Sequence, residues 1–236
     1  MKESLQTIQS QNEKLATTVV RTSNDAPFLI RISGGYNAGH KPNDWQSILA
    51  NEGIASVAFD FPGVGDSTGK LESTNLNIRL IHSLNVYQYI RDHISTDAPI
   101  FILGVSMGGP IAIHMMNQVN AAGLALCVSA AYPKAAWDKN FGEDFSQTIR
   151  RENAWKDSNE FTLINKVKCP ILFGSALNDE IIPTGITDKY RSILQSQHQE
   201  CIEYNAPHAF IRLESDSPTE KSRFWADLMK FIQSNT

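Results

Sequence analysis

Gly104-Val105-Ser106-Met107-Gly108-Gly109 is the stretch that decides the fold of this chain. The apolar run Pro99-Ile100-Phe101-Ile102-Leu103 leads into it, and the helix-like segment Pro110-Ile111-Ala112-Ile113-His114-Met115-Met116 leads away. A G-x-S-x-G turn between a strand and a helix is a nucleophile elbow, which holds its serine in a strained conformation above the strand's carboxyl end. Glycine at 104 and 108 removes the side chains that would keep strand and helix apart. Ser106 then stands at the positive end of a helix whose first amides lack intrahelical partners. The five-residue pattern is common by itself. The apolar strand before it and the amphipathic helix after it carry the reading, against that of a glycine-rich turn in another α/β sheet.

Outward from the elbow, strands and helices alternate. Leu5 to Arg21 shows period-two alternation around the polar turn Gln11-Asn12-Glu13-Lys14, which predicts an entry hairpin. Strands are expected at 27–32 and 54–59, with a helix between them that Pro42 opens and Gly53 ends. Leu76, Leu80, Leu84, Tyr87 and Ile90 keep the spacing of one long helix. Beyond the elbow, strands are expected at 123–128, 170–174 and 200–204, a helix at 184–194, and a closing helix with Phe224, Trp225, Leu228, Met229 and Ile232 on one face. Such alternation implies a mostly parallel sheet with helices on both faces, whose ligands bind off the carboxyl ends of the strands.

Composition narrows the function. The 236 residues, 42% of them hydrophobic, suffice for one sizeable core, so a single domain over 1–236 is expected. A formal charge of −4 gives no reason to expect nucleic acid or an anionic membrane. The polar start Met1-Lys2-Glu3-Ser4 lacks the apolar core of a signal peptide, and no apolar run has the length of a membrane span. Cys127, Cys169 and Cys201 show neither metal-ligand spacing nor a disulfide framework. The expectation is a cytoplasmic protein without metal or cofactor.

A serine needs a base, and the base needs an orienting acid. In an elbow-bearing sheet the chain order is serine, acid, histidine. Of six histidines, His40 and His82 precede the elbow, and His93 and His114 belong to helices. His198 lies before the last strand, at the wrong end of the sheet. His208 follows that strand and is the expected base. The acid should end the preceding strand, where Asp179 is the first candidate and Glu180 the second. An Asp there also suits a helix cap. The oxyanion needs two amide donors: Met107, next to the serine, and one from the turn Ser33-Gly34-Gly35-Tyr36, where Gly35 is expected and Tyr36 is the alternative.

With these positions the chain resembles the α/β-hydrolase superfamily over essentially its whole length. The loop Asp60-Phe61-Pro62-Gly63-Val64-Gly65-Asp66-Ser67 is similar to the superfamily's D-x-x-G-x-G-x-S segment, in which Asp60 and Ser67 are scaffold rather than catalysts. Residues 59–71 look most like cinnamoyl (feruloyl) esterases. Ser33-Gly34 stands where that family usually has His-Gly.

The resemblance implies an α/β-hydrolase fold with an eight-stranded, mostly parallel sheet, and a short lid at about 134–166 over the active site. The lid's aromatics, Trp137, Phe141, Phe145, Trp155 and Phe161, either form an apolar acyl wall or pin the segment to the body. The function implied is hydrolysis of a small-molecule carboxylic ester of small or medium acyl length through an acyl-enzyme. Thioester, amide or peptide hydrolysis would use the same residues. A non-catalytic ligand-binding member, or a lyase or cofactor-free oxygen enzyme, are the other classes open to the fold.

Overall fold

Apolar runs with little polar interruption build the centre of the sheet, because these strands are covered on both faces. β3 (Phe28–Ile32), β4 (Ala55–Phe59), β5 (Ile100–Val105) and β6 (Gly123–Cys127) are almost wholly buried. They belong to an eight-stranded sheet in a computed structural model that describes residues 2–36, 39–40, 44–94 and 97–236. Met1 and Pro42, the expected helix opener, lie outside these residues. The edge hairpin β1 (Lys2–Ser10) and β2 (Glu13–Arg21) pairs antiparallel, and β2 joins β4 antiparallel. All other neighbours are parallel, through β7 (Ile171–Asn178) and β8 (Glu200–Pro207), in the order β1-β2-β4-β3-β5-β6-β7-β8.

Period-two alternation sorts the strand residues into two cores. Ile30, Ile32, Ile100 and Ile102 face one side, where they meet α2 (Leu76–His93), α3 (Gly108–Met116) and α6 (Thr184–Ser196). Leu29, Phe101 and Leu103 face the other, under α1 (Asp44–Asn51) and α7 (Pro218–Ser234). There Trp45 and Trp225 stack with centroids 5.6 Å apart. Each such buried large side chain is worth about 1.5–3 kcal/mol of transfer free energy. The Asn75 side chain caps α2 by accepting from the Ile78 N–H, and Pro218 opens α7. Among the described residues no helix is long and apolar enough to cross a membrane.

Most element ends lie within a few residues of the sequence reading, and two of the differences bear on the site. β7 runs four residues past the expected Gly174, to Asn178, and β8 runs three past Tyr204, to Pro207. Leu177 and Asn178 are exposed, so no burial pattern marks them, and a register shift lies between Ala176 and Asn178. The extension carries both strands to the edge where the site is built. Between β6 and β7, 134–166 holds two short helices, α4 (Glu143–Arg150) and α5 (Glu160–Ile164), with 3-10 turns beside them.

Candidate active site

The elbow forms as its glycines require. Ser106 has φ 52°, the left-handed region that a side chain adopts only when its surroundings enforce it. Three main-chain bonds do so: its N–H donates to Cys127, and its carbonyl accepts from Gly109 and Ala130. A Cβ on Gly104 would come 2.7 Å from the Gly109 Cα, and one on Gly108 only 2.1 Å from the Ile32 carbonyl oxygen. The β3 turn approaches just as closely, since a Cβ on Gly34 would lie 2.8 Å from the Ser106 Cβ.

The extended ends of β7 and β8 bring the other two residues to this point. The Ser106 hydroxyl lies 3.0 Å from His208 Nε2 and donates to it, while Nδ1–H donates to the Asp179 carboxylate at 2.8 and 3.0 Å. Asp179 also caps its turn, because Oδ1 accepts from the Ile181 and Ile182 amides at 2.8 Å each. Burial alone raises the Asp179 carboxyl, but the bonds from His208, Ile182 and Ile181 outweigh it and hold the group below its ordinary value. Glu180 points elsewhere: its Oε2 accepts from the His208 backbone N–H at 3.4 Å. Among the described residues, the N–H groups of Met107, Gly35 and Tyr36 have no hydrogen-bond partner. The fold thus leaves amides free beside the serine.

Behind these amides sits Arg79, a residue that the sequence reading missed. It is fully buried, and its Nη1 donates to the Gly35 carbonyl at 2.6 Å and touches Met107 Sδ at 3.4 Å. Its guanidinium carbon lies 4.5 Å from the centre of the Phe141 ring and 4.6 Å from that of Phe61. Burial pushes its pKa down to about 10, which leaves it charged at neutral pH. One cation therefore holds the β3 turn and the residue after Ser106 together. Arg79 occupies the apolar stripe of α2, three residues after Leu76, and that misplaced charge was the available signal.

The other motifs fall into place around this centre. Asp60 accepts from the backbone of His40 and Asp66 and from His40 Nδ1, and the Ser67 hydroxyl donates to the Asp60 carbonyl, so both serve as loop scaffold. Ser33, at the position usually held by histidine, is buried in the cavity wall. His93 is exposed at a helix end, and the His114 ring packs tilted against Trp137 with centroids 3.9 Å apart. The aromatics of 134–166 divide. Phe145 and Trp155 line the cavity, whereas Trp137, Phe141 and Phe161 pack against His114, Arg79 and Tyr190. Two of the five therefore line the cavity, and three pin the segment to the body.

Ser106 and His208 open onto a cavity of about 1000 Å³, at the large end of the range for ligand sites. Its walls differ in chemistry. Tyr132, Phe145, Ile149, Trp155 and Ile186 form an apolar side; Arg31, Asp44 and Arg212, with Trp45 beside them, form a charged one, and the exposed Arg150, Arg151 and Glu152 also border the cavity. Among the described residues, no group of three or more His, Cys, Asp or Glu side chains is placed to hold a metal ion.

Residues 30–159, more than half of the chain, match the family model described as serine aminopeptidase, S33. The lysophosphatidylserine lipase ABHD12 of Xenopus tropicalis is 27% identical over 101 residues, which make up 41% of this chain and 25% of that protein. The match therefore spans about a quarter of that relative's length. Est1E from Butyrivibrio proteoclasticus, solved with ferulic acid bound, superposes with a TM-score of 0.73 at 18% identity over 98% of both chains. The monoacylglycerol lipase of Paleococcus ferrophilus superposes with a TM-score of 0.71 at 16% identity, over 94% of this chain and 99% of that one.

Proposed function

Because the chain belongs to the serine aminopeptidase S33 family of α/β hydrolases, we propose that it is a single-domain serine esterase with Ser106, His208 and Asp179 as its catalytic triad. The observation that carries this reading is the hydrogen-bonded chain from the Ser106 hydroxyl through both nitrogens of His208 to Asp179. His208 accepts the hydroxyl proton as Ser106 attacks the ester carbonyl, and Asp179 stabilises the imidazolium that forms. The Met107 and Gly35 amides bind the oxyanion, a pair whose loss of one member typically costs a few kcal/mol of transition-state stabilisation. His208 then returns the proton to the departing alkoxide. Water, deprotonated by the same imidazole, releases the acid from the acyl-enzyme.

The charged wall favours an ester over a peptide amino terminus. An aminopeptidase holds its substrate's ammonium group with carboxylates. Of the two that line this cavity, Asp44 is already paired with Lys221, and Glu152 is exposed. The volume accommodates a medium acyl chain. The proteins named as lipases and Est1E, solved with ferulic acid bound, support small-molecule esters as the substrate class. The free cysteines Cys127, Cys169 and Cys201 support a reducing, cytoplasmic setting.

A fluorophosphonate probe tests the assignment. The wild type should be labelled and Ser106→Ala should not, with hydrolysis of nitrophenyl esters falling by about 10⁴-fold or more in the variant. Labelling that persists in Ser106→Ala removes the nucleophile assignment. Faster cleavage of aminoacyl anilides than of esters would move the activity to peptide bonds.

A further inference from the structure

Arg31 is a cation that the proposed reaction leaves unused. It is the fourth residue of β3, and its guanidinium carbon lies 5.3 Å from the centre of the Trp45 ring, within the wall of the Ser106 cavity. Among the described residues its side chain makes no hydrogen bond or ion pair, and its Nε is fully buried without an acceptor. Arg31 is half-buried and of its nitrogens only Nε is fully buried without an acceptor, so the guanidinium keeps access to the cavity, where an anion would supply the missing partner. Asp44 lines the same wall but is engaged elsewhere, accepting from Lys221 Nζ and from the Trp45 N–H. Arg212, four residues after His208, also lines this cavity; its side chain is exposed and has no partner among the described residues.

The position of His208 says which end of an ester meets these arginines. The imidazole must hand its proton to the leaving-group oxygen, so the alcohol part lies on the histidine's side. Ala209, Ile211 and Arg212 line the cavity there. Tyr132, Phe145, Ile149, Trp155 and Ile186 are left for the acyl chain, although the exposed Arg150, Arg151 and Glu152 of the same segment also line the cavity. A guanidinium presents parallel donors that match a two-oxygen anion.

We propose that the substrate is an ester whose alcohol part carries a carboxylate or phosphate, bound by Arg31 and Arg212. This inference rests on the esterase reading above and adds the leaving-group chemistry to it.

The test compares three octanoyl esters that differ only in the alcohol: glycerol, glycerol 3-phosphate and lactate, read as kcat/KM for octanoate release. The wild type should prefer at least one anionic ester over octanoylglycerol by about tenfold or more, since a charge-assisted hydrogen bond is worth that much. Arg31→Gln should lower the anionic-to-neutral ratio by about tenfold. Arg31→Lys should keep part of it, and the exposed Arg212→Gln should lower it a few-fold. The ratio cancels any loss of folded enzyme. The anion with the larger gain identifies the head group. A wild type that prefers the neutral ester, or an Arg31→Gln ratio equal to the wild type's, overturns the proposal. Failure of the esterase reading is told apart by the fluorophosphonate: no labelling and no cleavage of any of the three esters overturns both, while labelling with an unchanged ratio overturns the anion site alone.

Discussion

Ser106 and Trp155 line the same cavity, yet different forces hold them there. Ser106 is fixed by backbone: a left-handed φ, three main-chain hydrogen bonds and glycines at 104 and 108 that admit no side chain. Trp155 sits in a short 3-10 turn and is placed by side-chain packing, with its ring against Gly185 and Phe161. Chemistry that demands tenths of an ångström is entrusted to the main chain. In the proposed esterase, selection of an acyl group tolerates more slack and rests on side chains that can be exchanged.

The sharpest way to break this contrast is to disturb the orienting acid. Asp179→Asn should lower kcat by about 10⁴-fold, as loss of the orienting carboxylate does when it favours the wrong imidazole tautomer. Glu180→Gln should change it by less than about threefold, because Glu180 meets only backbone. Steady-state kinetics on one nitrophenyl ester reads both. The same carboxylate contributes to stability. Its folded pKa lies below the unfolded value, so its ionised form stabilises the chain above pH about 4. That contribution is lost as pH falls through the lowered value, and the Tm advantage of wild type over Asp179→Asn should narrow there.

A smaller effect is expected at the junction of the two regions. Arg79 holds the Gly35 carbonyl while packing on Phe141 from the 134–166 segment. Arg79→Leu should lower kcat by about 10- to 100-fold with KM nearly unchanged, short of the full loss of an oxyanion donor. Arg79→Lys should recover part of kcat. A loss confined to Tm and folded yield would make Arg79 a packing residue alone. The mildest change belongs to the cavity wall. Trp155→Ala should shift the preferred acyl length of nitrophenyl esters with a few-fold change in KM. Trp137→Ala should leave that profile intact and cost about 3–5 kcal/mol of stability, measured by denaturant melts.

How much was legible in the sequence follows the same division. Elements whose position is dictated by local backbone demands were readable: the elbow, the entry hairpin (its turn shorter than expected, Gln11-Asn12, with Glu13 and Lys14 already in β2), the apolar central strands and the turn at Ser33-Gly34-Gly35. Ser106, Asp179 and His208 could be nominated as a triad because strand ends in a parallel sheet share one edge. The ends of β7 and β8 were not visible, since Leu177, Asn178 and Asn205 are exposed and break the buried run, so that pairing rather than burial defines them. Arg79 and Arg31 were missed because charge normally marks solvent. The burial of Arg79 and the half-burial of Arg31 depend on Phe61, Phe141 and Trp45, which only the tertiary fold delivers. The 134–166 aromatics could not be sorted for a related reason, because one residue type does both jobs.

The strand order has a consequence in time. β1 and β2 meet through a two-residue turn, and pairing of that kind forms in microseconds. The bond between Ser106 and His208 joins residues 102 apart in sequence, and β3 must find both β4 and β5 before the elbow has its floor. Contacts of such separation carry the full entropy of loop closure and form slowly. During refolding, the ability to react with a fluorophosphonate therefore trails secondary structure, and it serves as a clock for closure of the sheet.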